Sequence, residues 1–135
     1  MNLFAYGTLL VPEIWEAVTG APPPRNVPAT LASYEIFRVK GGDFPGIIES
    51  ENSHDVVPGH IYFDLPADTM SALDRYEDTF YERAEVTVST STGPESAQTY
   101  RIPRSEAAIL LSPETWTLDW FRAEAMDRYC ERLFG

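Results

Sequence analysis

The sequence predicts a single α+β domain, residues 1–135, in which a small mixed β-barrel or curved sheet is flanked by helices. The chain has 135 residues, 44% of them hydrophobic and 23% charged, which is enough to bury a core and enclose a small site. Segments with strand patterns are grouped in the middle of the chain, and helical patterns interrupt them without strict alternation. We find no internal repeat or low-complexity segment that would indicate a solenoid or a disordered chain.

Six segments have the composition and period of β-strands. The first is a short apolar run that ends at Gly7, and the second alternates and is rich in strand formers. Pro58 and Gly59 indicate an edge position or a bulge at the start of the fourth. The predicted strands are residues 2–6, 29–39, 44–49, 57–65, 81–89 and 96–102.

Three further segments, residues 10–20, 66–78 and 112–134, have helical patterns. Pro12 suits the first turn of the first helix, and Gly20 suits its C-terminal cap. Ser112 followed by Pro113 indicates that the last helix begins there. Its bulky stripe, which predicts a core or interface face, consists of Trp116, Trp120, Ala123 and Cys130 or Leu133.

Charge and cysteine content exclude several classes of partner. Lys and Arg number 10 and Asp and Glu number 21, for a net charge of −11, so we expect neither nucleic acid nor an anionic membrane as a partner. Cys130 is the only cysteine, which excludes an internal disulfide and fits a reducing compartment. The N-terminus does not resemble a signal peptide, and no apolar run approaches ~20 residues. We therefore expect a cytoplasmic protein.

The segment from Tyr6 to Leu9 is the first candidate site, because a strand ends there and a helix follows. Such a junction presents backbone N–H groups that can bind a carboxylate or a developing oxyanion. Gly7 removes the Cβ that would block close approach. The alternative is that Gly7 only makes the turn and that Tyr6 belongs to the core.

Glu77 is the candidate general acid/base. Met70, Leu73 and Glu77 follow the i, i+3, i+7 spacing of one helix face, so Glu77 falls where the apolar face should continue. Burial would raise the pKa of this carboxyl group, which suits proton transfer near neutral pH. Asp74 and Asp78 are expected on the solvent side. The alternative is that the helix frays and all three acids are solvated.

Arg83 lies two residues after Tyr81, on the same face of a predicted strand. It could pair with Glu77 or bind a substrate carboxylate; the alternative is a surface ion pair between strands. His54 and His60 lack the spacing and the neighbours of a zinc site, and no nucleophile elbow is present. We therefore expect no metal and no cofactor.

An ordered set of motifs resembles the γ-glutamylcyclotransferase-like family, which includes the γ-glutamylamine cyclotransferases. The resemblance covers residue 2 to about residue 102 and leaves the predicted helix 112–134 outside. The matching motifs are Tyr6-Gly7-Thr8-Leu9, Phe44-Pro45-Gly46-Ile47, Val57-Pro58-Gly59-His60-Ile61-Tyr62, Leu73-Asp74-Arg75-Tyr76-Glu77 and Tyr81-Glu82-Arg83. One departure is Asp78, where the family often has a glycine after the catalytic glutamate.

The resemblance implies a small mixed β-barrel flanked by helices, with the Tyr-Gly-Thr-Leu loop and the acid bordering one cavity. It implies cleavage of a small-molecule γ-glutamyl amide, without a cofactor, to 5-oxoproline and a free amine. Glu77 is then the catalytic residue; the substrate-binding candidates are Tyr6, Gly7, Thr8, Leu9, Tyr81 and Arg83.

Two alternatives from other classes stay open, and Asp78 leaves room for an altered substrate or a lost activity. One is a non-catalytic binding module that uses the same cavity. The other is a structural or regulatory subunit that uses residues 116–121, which predicts a large exposed apolar patch. The sequence names neither the leaving amine nor the oligomeric state.

Overall fold

A five-stranded closed barrel forms the centre of the protein. The computed structural model describes residues 1–77 and 79–134. The strands are β1 (Leu3–Ala5), β2 (Asn26–Ala32), β3 (Tyr34–Arg38), β4 (Pro45–Glu49), β5 (Val56–Tyr62), β6 (Glu82–Thr90) and β7 (Gly93–Arg101). The barrel order is β1-β5-β2-β6-β7, and β3 and β4 form a separate two-stranded sheet. Strand β1 closes the barrel by pairing antiparallel with β5 and parallel with β7, which confirms the predicted fold class.

Helices cover the outside of the barrel. They are α1 (Pro12–Thr19), α2 (Ala67–Tyr76), the short α3 (Ala107–Leu110) and a C-terminal helix; 3₁₀ turns occur at Thr8–Leu10 and Arg104–Glu106. The C-terminal helix consists of α-helical Leu118–Trp120, π-helical Phe121–Ala125 and α-helical Met126–Phe134. None of the helices within residues 1–77 and 79–134 has both the length and the apolar character needed to cross a membrane.

Residues on the two faces of the sheet pack into two separate cores, because successive side chains of a strand point to opposite sides. Phe4 of β1 packs with Val57 and Ile61 of β5 in one of them. The other joins the helices to the barrel. In this second core, the Trp15 ring of α1 stacks on Tyr62 of β5 at a centroid distance of 4.3 Å.

The predicted single strand 29–39 is wrong, because the chain divides at Ser33. Ser33 has φ 65°, a left-handed conformation that side-chain-bearing residues rarely adopt. Its N–H donates to the Asp55 carbonyl at 2.8 Å, and its carbonyl accepts from the Ser50 N–H at 2.8 Å. The chain therefore leaves the barrel after β2 and pairs β3 with β4 instead.

The predicted edge position of the Pro58–Gly59 strand is also wrong. Strand β5 lies between β1 and β2 in the barrel, and Pro58 pairs with Thr30 of β2. Gly59 is required by close packing, because a Cβ at this position would lie 2.2 Å from the Ala5 carbonyl oxygen of β1. The glycine indicates a close approach of two backbones, not a strand at the edge of the sheet.

The predicted start of the last helix at Ser112 is six residues too early. The helix begins at Leu118, where the Thr117 hydroxyl accepts a hydrogen bond from the Trp120 N–H at 3.1 Å. Ser112 instead donates its backbone N–H to the Arg38 carbonyl at 2.9 Å.

The predicted stripe of the C-terminal helix is partly correct, because Trp116 is buried and Trp120 and Cys130 pack against the core. Phe121 and Ala125 are buried, whereas Ala123 and Leu133 are exposed. Trp116, which precedes the helix, is also buried, so residues 116–121 do not form the large exposed patch expected of a subunit interface.

We expect Gly59→Ala to destabilise the barrel by at least ~2 kcal/mol, because a methyl group would collide with the backbone of β1. Chemical denaturation measures this change. Val56→Ala is the control, because this side chain on the same strand is exposed and its loss should cost less than ~0.5 kcal/mol. Equal stability of the two variants would contradict the close approach of β1 and β5.

Candidate active site

Glu77 lies where helix α2 ends. Its N–H donates to the Leu73 carbonyl at 3.0 Å, and its backbone is extended, so the chain leaves the helix at this residue. Met70 and Leu73 are 4% and 0% exposed, which places Glu77 at the end of the buried face. The predicted solvent position of Asp74 is confirmed; Asp78 lies outside the described residues.

The segment from Tyr6 to Leu9 leads from strand β1 into the 3₁₀ turn, whose Leu10 N–H donates to the Gly7 carbonyl at 3.0 Å. A Cβ on Gly7 would lie 2.9 Å from Pro45 Cγ, so glycine allows β4 to approach this loop. Tyr6, Thr8 and Leu9 are all buried. The loop is therefore fixed between β1 and β4.

A cavity of about 130 Å³ brings the loop and the acid together. Its lining comprises Leu3, Phe4, Ala5, Tyr6, Gly7, Thr8, Leu9, Phe44, Pro45, Tyr76, Glu77, Tyr81, Tyr100 and Tyr129. All predicted site residues except Arg83 belong to this set. Among the described residues of the lining, Glu77 is the one carboxylate, and there is no Lys, Arg or His side chain.

The tyrosines of the lining are held in their neutral form. Burial raises the pKa of Tyr6 and Tyr81 well above the ordinary value, and the negative charge of Glu77 raises each pKa further. Burial likewise raises the pKa of Tyr76, Tyr100 and Tyr129. The cavity thus offers Glu77 surrounded by uncharged hydroxyl groups.

Three of these tyrosine hydroxyls donate hydrogen bonds to oxygen atoms of the protein. The Tyr6 hydroxyl donates to the Tyr100 carbonyl at 2.6 Å, and the Tyr81 hydroxyl donates to the Pro45 carbonyl at 2.5 Å. The Tyr100 hydroxyl donates to Asp74 Oδ1 at 2.5 Å. These bonds fix the cavity walls.

The hydroxyls of Thr8, Tyr76 and Tyr129 form a chain along the same cavity. Thr8 Oγ1 lies 2.8 Å from the Tyr76 hydroxyl oxygen, which also hydrogen-bonds to the Tyr129 hydroxyl. The chain connects the 3₁₀ turn, helix α2 and the C-terminal helix. We refer to these three groups as the hydroxyl chain.

Arg83 is not among the cavity-lining residues. Its guanidinium donates to both carboxylate oxygens of Asp74, at 3.1 and 2.9 Å, and both side chains are partly exposed. Strand β6 begins at Glu82, so Tyr81 precedes the strand and the same-face argument from Tyr81 to Arg83 does not hold. Arg83 therefore forms a surface ion pair, as one alternative expected, but the pair joins strand β6 to helix α2 and not two strands.

Neither histidine belongs to the lining of this cavity. Nδ1 of His60 lies 2.9 Å from Asn26 Oδ1, and burial lowers the pKa of this histidine. Across residues 1–77 and 79–134, no three His, Cys, Asp or Glu side chains lie close enough together to hold a metal ion.

Sequence reasoning missed Tyr129, which enters the cavity from the C-terminal helix. The signal that could have found it is the spacing of four between Phe121, Ala125 and Tyr129, which share one helix face. The predicted stripe takes Trp116 as its first residue, but Trp116 precedes the helix. Positions counted from Trp116 therefore do not coincide with the face that carries Phe121, Ala125 and Tyr129.

Residues 3–118 match the family model described as "Gamma-glutamyl cyclotransferase, AIG2-like", and the chain therefore belongs to this family. Curated relatives include AIG2-like protein D of Arabidopsis thaliana, which is 32% identical over 99 residues, and AIG2-like protein B of the same plant, which is 33% identical over 102 residues. These matches cover 73% and 76% of this chain, but only 63% and 58% of the relatives.

Solved structures have the same fold. A solution structure from Arabidopsis thaliana has a TM-score of 0.70 and 24% identity, and covers 97% of this chain and 86% of its own. A structure described as "Gamma-glutamyl cyclotransferase" has a TM-score of 0.65 and 20% identity, and covers 76% of this chain and 66% of its own.

We expect the buried tyrosines to titrate late and to make the fold sensitive to alkali. Their folded pKa values exceed the unfolded value of 10.0, and that of Tyr62 rises to about 12. Burial of the neutral hydroxyls therefore contributes stability that is fully present below pH 10 and is lost as the pH rises through the folded values. Phenolate absorbance and the free energy of unfolding, measured against pH, test this expectation.

The denatured chain is the control for this titration and should ionise near the ordinary tyrosine pKa, about 10. Complete titration of the native protein at that pH, with its circular dichroism unchanged, would contradict the burial of the cavity walls.

Proposed function

We propose that this protein is a cofactor-independent cyclotransferase that cleaves a γ-glutamyl amide and releases 5-oxoproline and a free amine. One observation carries the proposal: in a member of the γ-glutamyl cyclotransferase, AIG2-like family, Glu77 and the Tyr6–Leu9 loop line the same small cavity. The relative described as "Gamma-glutamyl cyclotransferase" has the same fold, which supports this reading.

The reaction needs no nucleophile from the protein, because the substrate carries its own. The α-amine attacks the γ-carbonyl carbon, a C–N bond forms to close the five-membered ring, and the amide C–N bond breaks. A cavity that holds the folded conformer supplies orientation, which can lower a barrier by up to ~7–11 kcal/mol. The small volume of the cavity suits the γ-glutamyl half of such a substrate.

Glu77 is the proposed proton carrier. The attacking amine must lose its proton before or during attack, and the departing amine nitrogen must gain one. A single carboxylate can accept the first proton and deliver the second, a contribution of roughly 100- to 10,000-fold in rate. Glu77 is the one carboxylate among the described lining residues, so this role falls to it.

The loop from Gly7 to Leu9 is the proposed oxyanion support. Its residues line the cavity beside Glu77, and backbone N–H groups there would stabilise the tetrahedral oxyanion. Removing one such donor typically costs ~2.7–4 kcal/mol. Tyr6 and Tyr81, whose hydroxyls are bonded to backbone carbonyls, shape the walls around the reacting group.

Glu77→Gln should lower turnover by roughly 100-fold or more, because the amide keeps the shape of the side chain but cannot exchange a proton. Release of 5-oxoproline from a panel of γ-glutamyl amides, including the methylamide, measures the loss. Calorimetry should show that the variant still binds the amides. The melting temperature should not fall, because a neutral side chain replaces an ionisable one.

The matched control is Glu85→Gln, an exposed glutamate of β6 outside the cavity, which should keep wild-type turnover. Near-normal 5-oxoproline release by Glu77→Gln together with a clear loss of stability would make Glu77 a structural residue. Binding of the amides without turnover by the wild type would instead favour a binding module.

We expect turnover to survive chelation, because proton transfer by Glu77 and attack by the substrate amine need no Lewis acid. The protein is dialysed against a strong chelator, and 5-oxoproline release is compared before and after. A loss that added zinc restores would overturn this mechanism.

A further inference from the structure

Tyr129 comes from a part of the chain that the family match does not include. The match ends at residue 118, and Tyr129 lies in the Met126–Phe134 segment of the C-terminal helix. Its side chain is half-buried, lines the cavity and ends the hydroxyl chain that starts at Thr8. The C-terminal helix therefore adds a polar group to the site.

The hydroxyl chain has a proton to donate. Three hydroxyls carry three protons, and the two hydrogen bonds that connect Thr8, Tyr76 and Tyr129 use two of them. One O–H then remains, and it is that of Tyr129 when Thr8 donates to Tyr76 and Tyr76 donates to Tyr129. The hydroxyls of Tyr6, Tyr81 and Tyr100, by contrast, already donate to acceptors of the protein.

A γ-glutamyl group needs such a donor. Its α-carboxylate is an anion, and the described lining offers it no cationic side chain. Because Arg83 is bonded to Asp74 outside the cavity, the α-carboxylate of the substrate must be bound by uncharged hydrogen-bond donors. Hydrogen bonds to charged groups are stronger than neutral ones, so a single hydroxyl can matter for affinity.

An ion-pair cluster joins the helix segment that carries Tyr129 to Asp43. Arg128 donates from Nε and from a terminal nitrogen to the two carboxylate oxygens of Asp43, at 2.9 and 2.7 Å, and Arg132 adds a bond at 2.5 Å. Asp43 is only 9% exposed, and these arginines hold the pKa of its carboxyl group below the ordinary range. The Trp116 indole donates to the Asp43 carbonyl at 2.8 Å.

The residues of this cluster are adjacent in sequence to residues of two different walls of the cavity. Asp43 directly precedes Phe44 and Pro45, and Arg128 directly precedes Tyr129. Phe44, Pro45 and Tyr129 all line the cavity. The cluster thus joins the wall formed by the start of β4 to the wall formed by the C-terminal helix.

We propose that Tyr129, at the end of the hydroxyl chain, binds the α-carboxylate of the γ-glutamyl group, and that Asp43, Arg128 and Arg132 are positioning residues for it. This inference rests on the proposed function for the identity of the ligand. It assigns the C-terminal helix a role in recognising the substrate, in addition to covering the barrel.

The test compares two amides that differ only in the α-carboxylate. γ-Glutamyl methylamide carries it, whereas 4-aminobutanoyl methylamide lacks it and can still cyclise, to 2-pyrrolidinone. Tyr129→Phe should lower the preference for the first over the second, measured as the ratio of their kcat/KM values, by about 10-fold or more. The decrease in this ratio should come mainly from a higher KM for γ-glutamyl methylamide.

The control is Tyr34→Phe, which removes a buried hydroxyl outside the cavity and should leave the ratio unchanged.

Asp43→Asn should lower the same ratio, because a weaker cluster lets Tyr129 move away from the carboxylate. Arg122→Gln, at an exposed position of the C-terminal helix, is its control. Arg132→Gln keeps the two Arg128 bonds and provides a milder variant if Asp43→Asn does not fold. Equal losses for both amides in the Tyr129→Phe variant would overturn the inference, because a merely structural role affects both alike.

Measurements of amide binding distinguish a failure of this inference from a failure of the proposed function. Dissociation constants of both amides are measured by calorimetry on Glu77→Gln, with and without Tyr129→Phe. A Tyr129-dependent preference in binding supports the inference even if no form of the protein releases 5-oxoproline. Turnover by the wild type with no Tyr129-dependent preference overturns the inference and leaves the proposed function standing.

Discussion

The site depends on strand β1, a three-residue strand that is hydrogen-bonded on both sides. Its antiparallel pairing with β5 and its parallel pairing with β7 close the barrel. Because β1 is fixed on both edges, the Tyr6–Leu9 loop that follows it has little freedom. Gly59 permits the close approach that this requires, since any side chain there would meet the Ala5 carbonyl. The cavity is consequently built on one of the most constrained segments of the chain.

Helix α2 places the acid against this loop by ordinary packing. Met70 and Leu73 are buried on the helix face whose next position is Glu77. The helix ends at that residue, so the hydrophobic contacts that hold the helix also set the position of the carboxylate. Tyrosine hydroxyls, not charges, supply the surrounding polarity. The proposed reaction makes use of this arrangement, because in it the substrate brings its own nucleophile and the protein supplies orientation and one proton carrier.

Local sequence signals predicted the positions of those cavity residues that local structure determines. Periodicity placed Glu77 where the buried face of α2 ends, and the Gly7 turn placed the loop after β1. The division at Ser33 was not predictable, because the alternating pattern continues through a residue whose conformation is set by bonds to Asp55 and Ser50. The inner position of β5 was hidden for a similar reason: Pro58 and Gly59 favour an edge by local chemistry, and the close approach of the β1 backbone explains the glycine.

The π-helical turn at Phe121–Ala125 sets which side chains of the following helix segment face the cavity. A π turn holds one residue more than the α turn it replaces, and such turns are frequent at functional sites. Converting this turn to a regular α-helix without changing the chain length would rotate the segment beyond it by about 100°, the angle of one residue, relative to the barrel. Tyr129, Arg128 and Arg132 would then leave the cavity and Asp43 together. Loss of the extra residue itself would remove the π turn and leave the same face of the following segment toward the barrel. A substitution that removes the π turn at constant length would therefore change the cavity more than deletion of a residue from it, without altering any residue of the barrel.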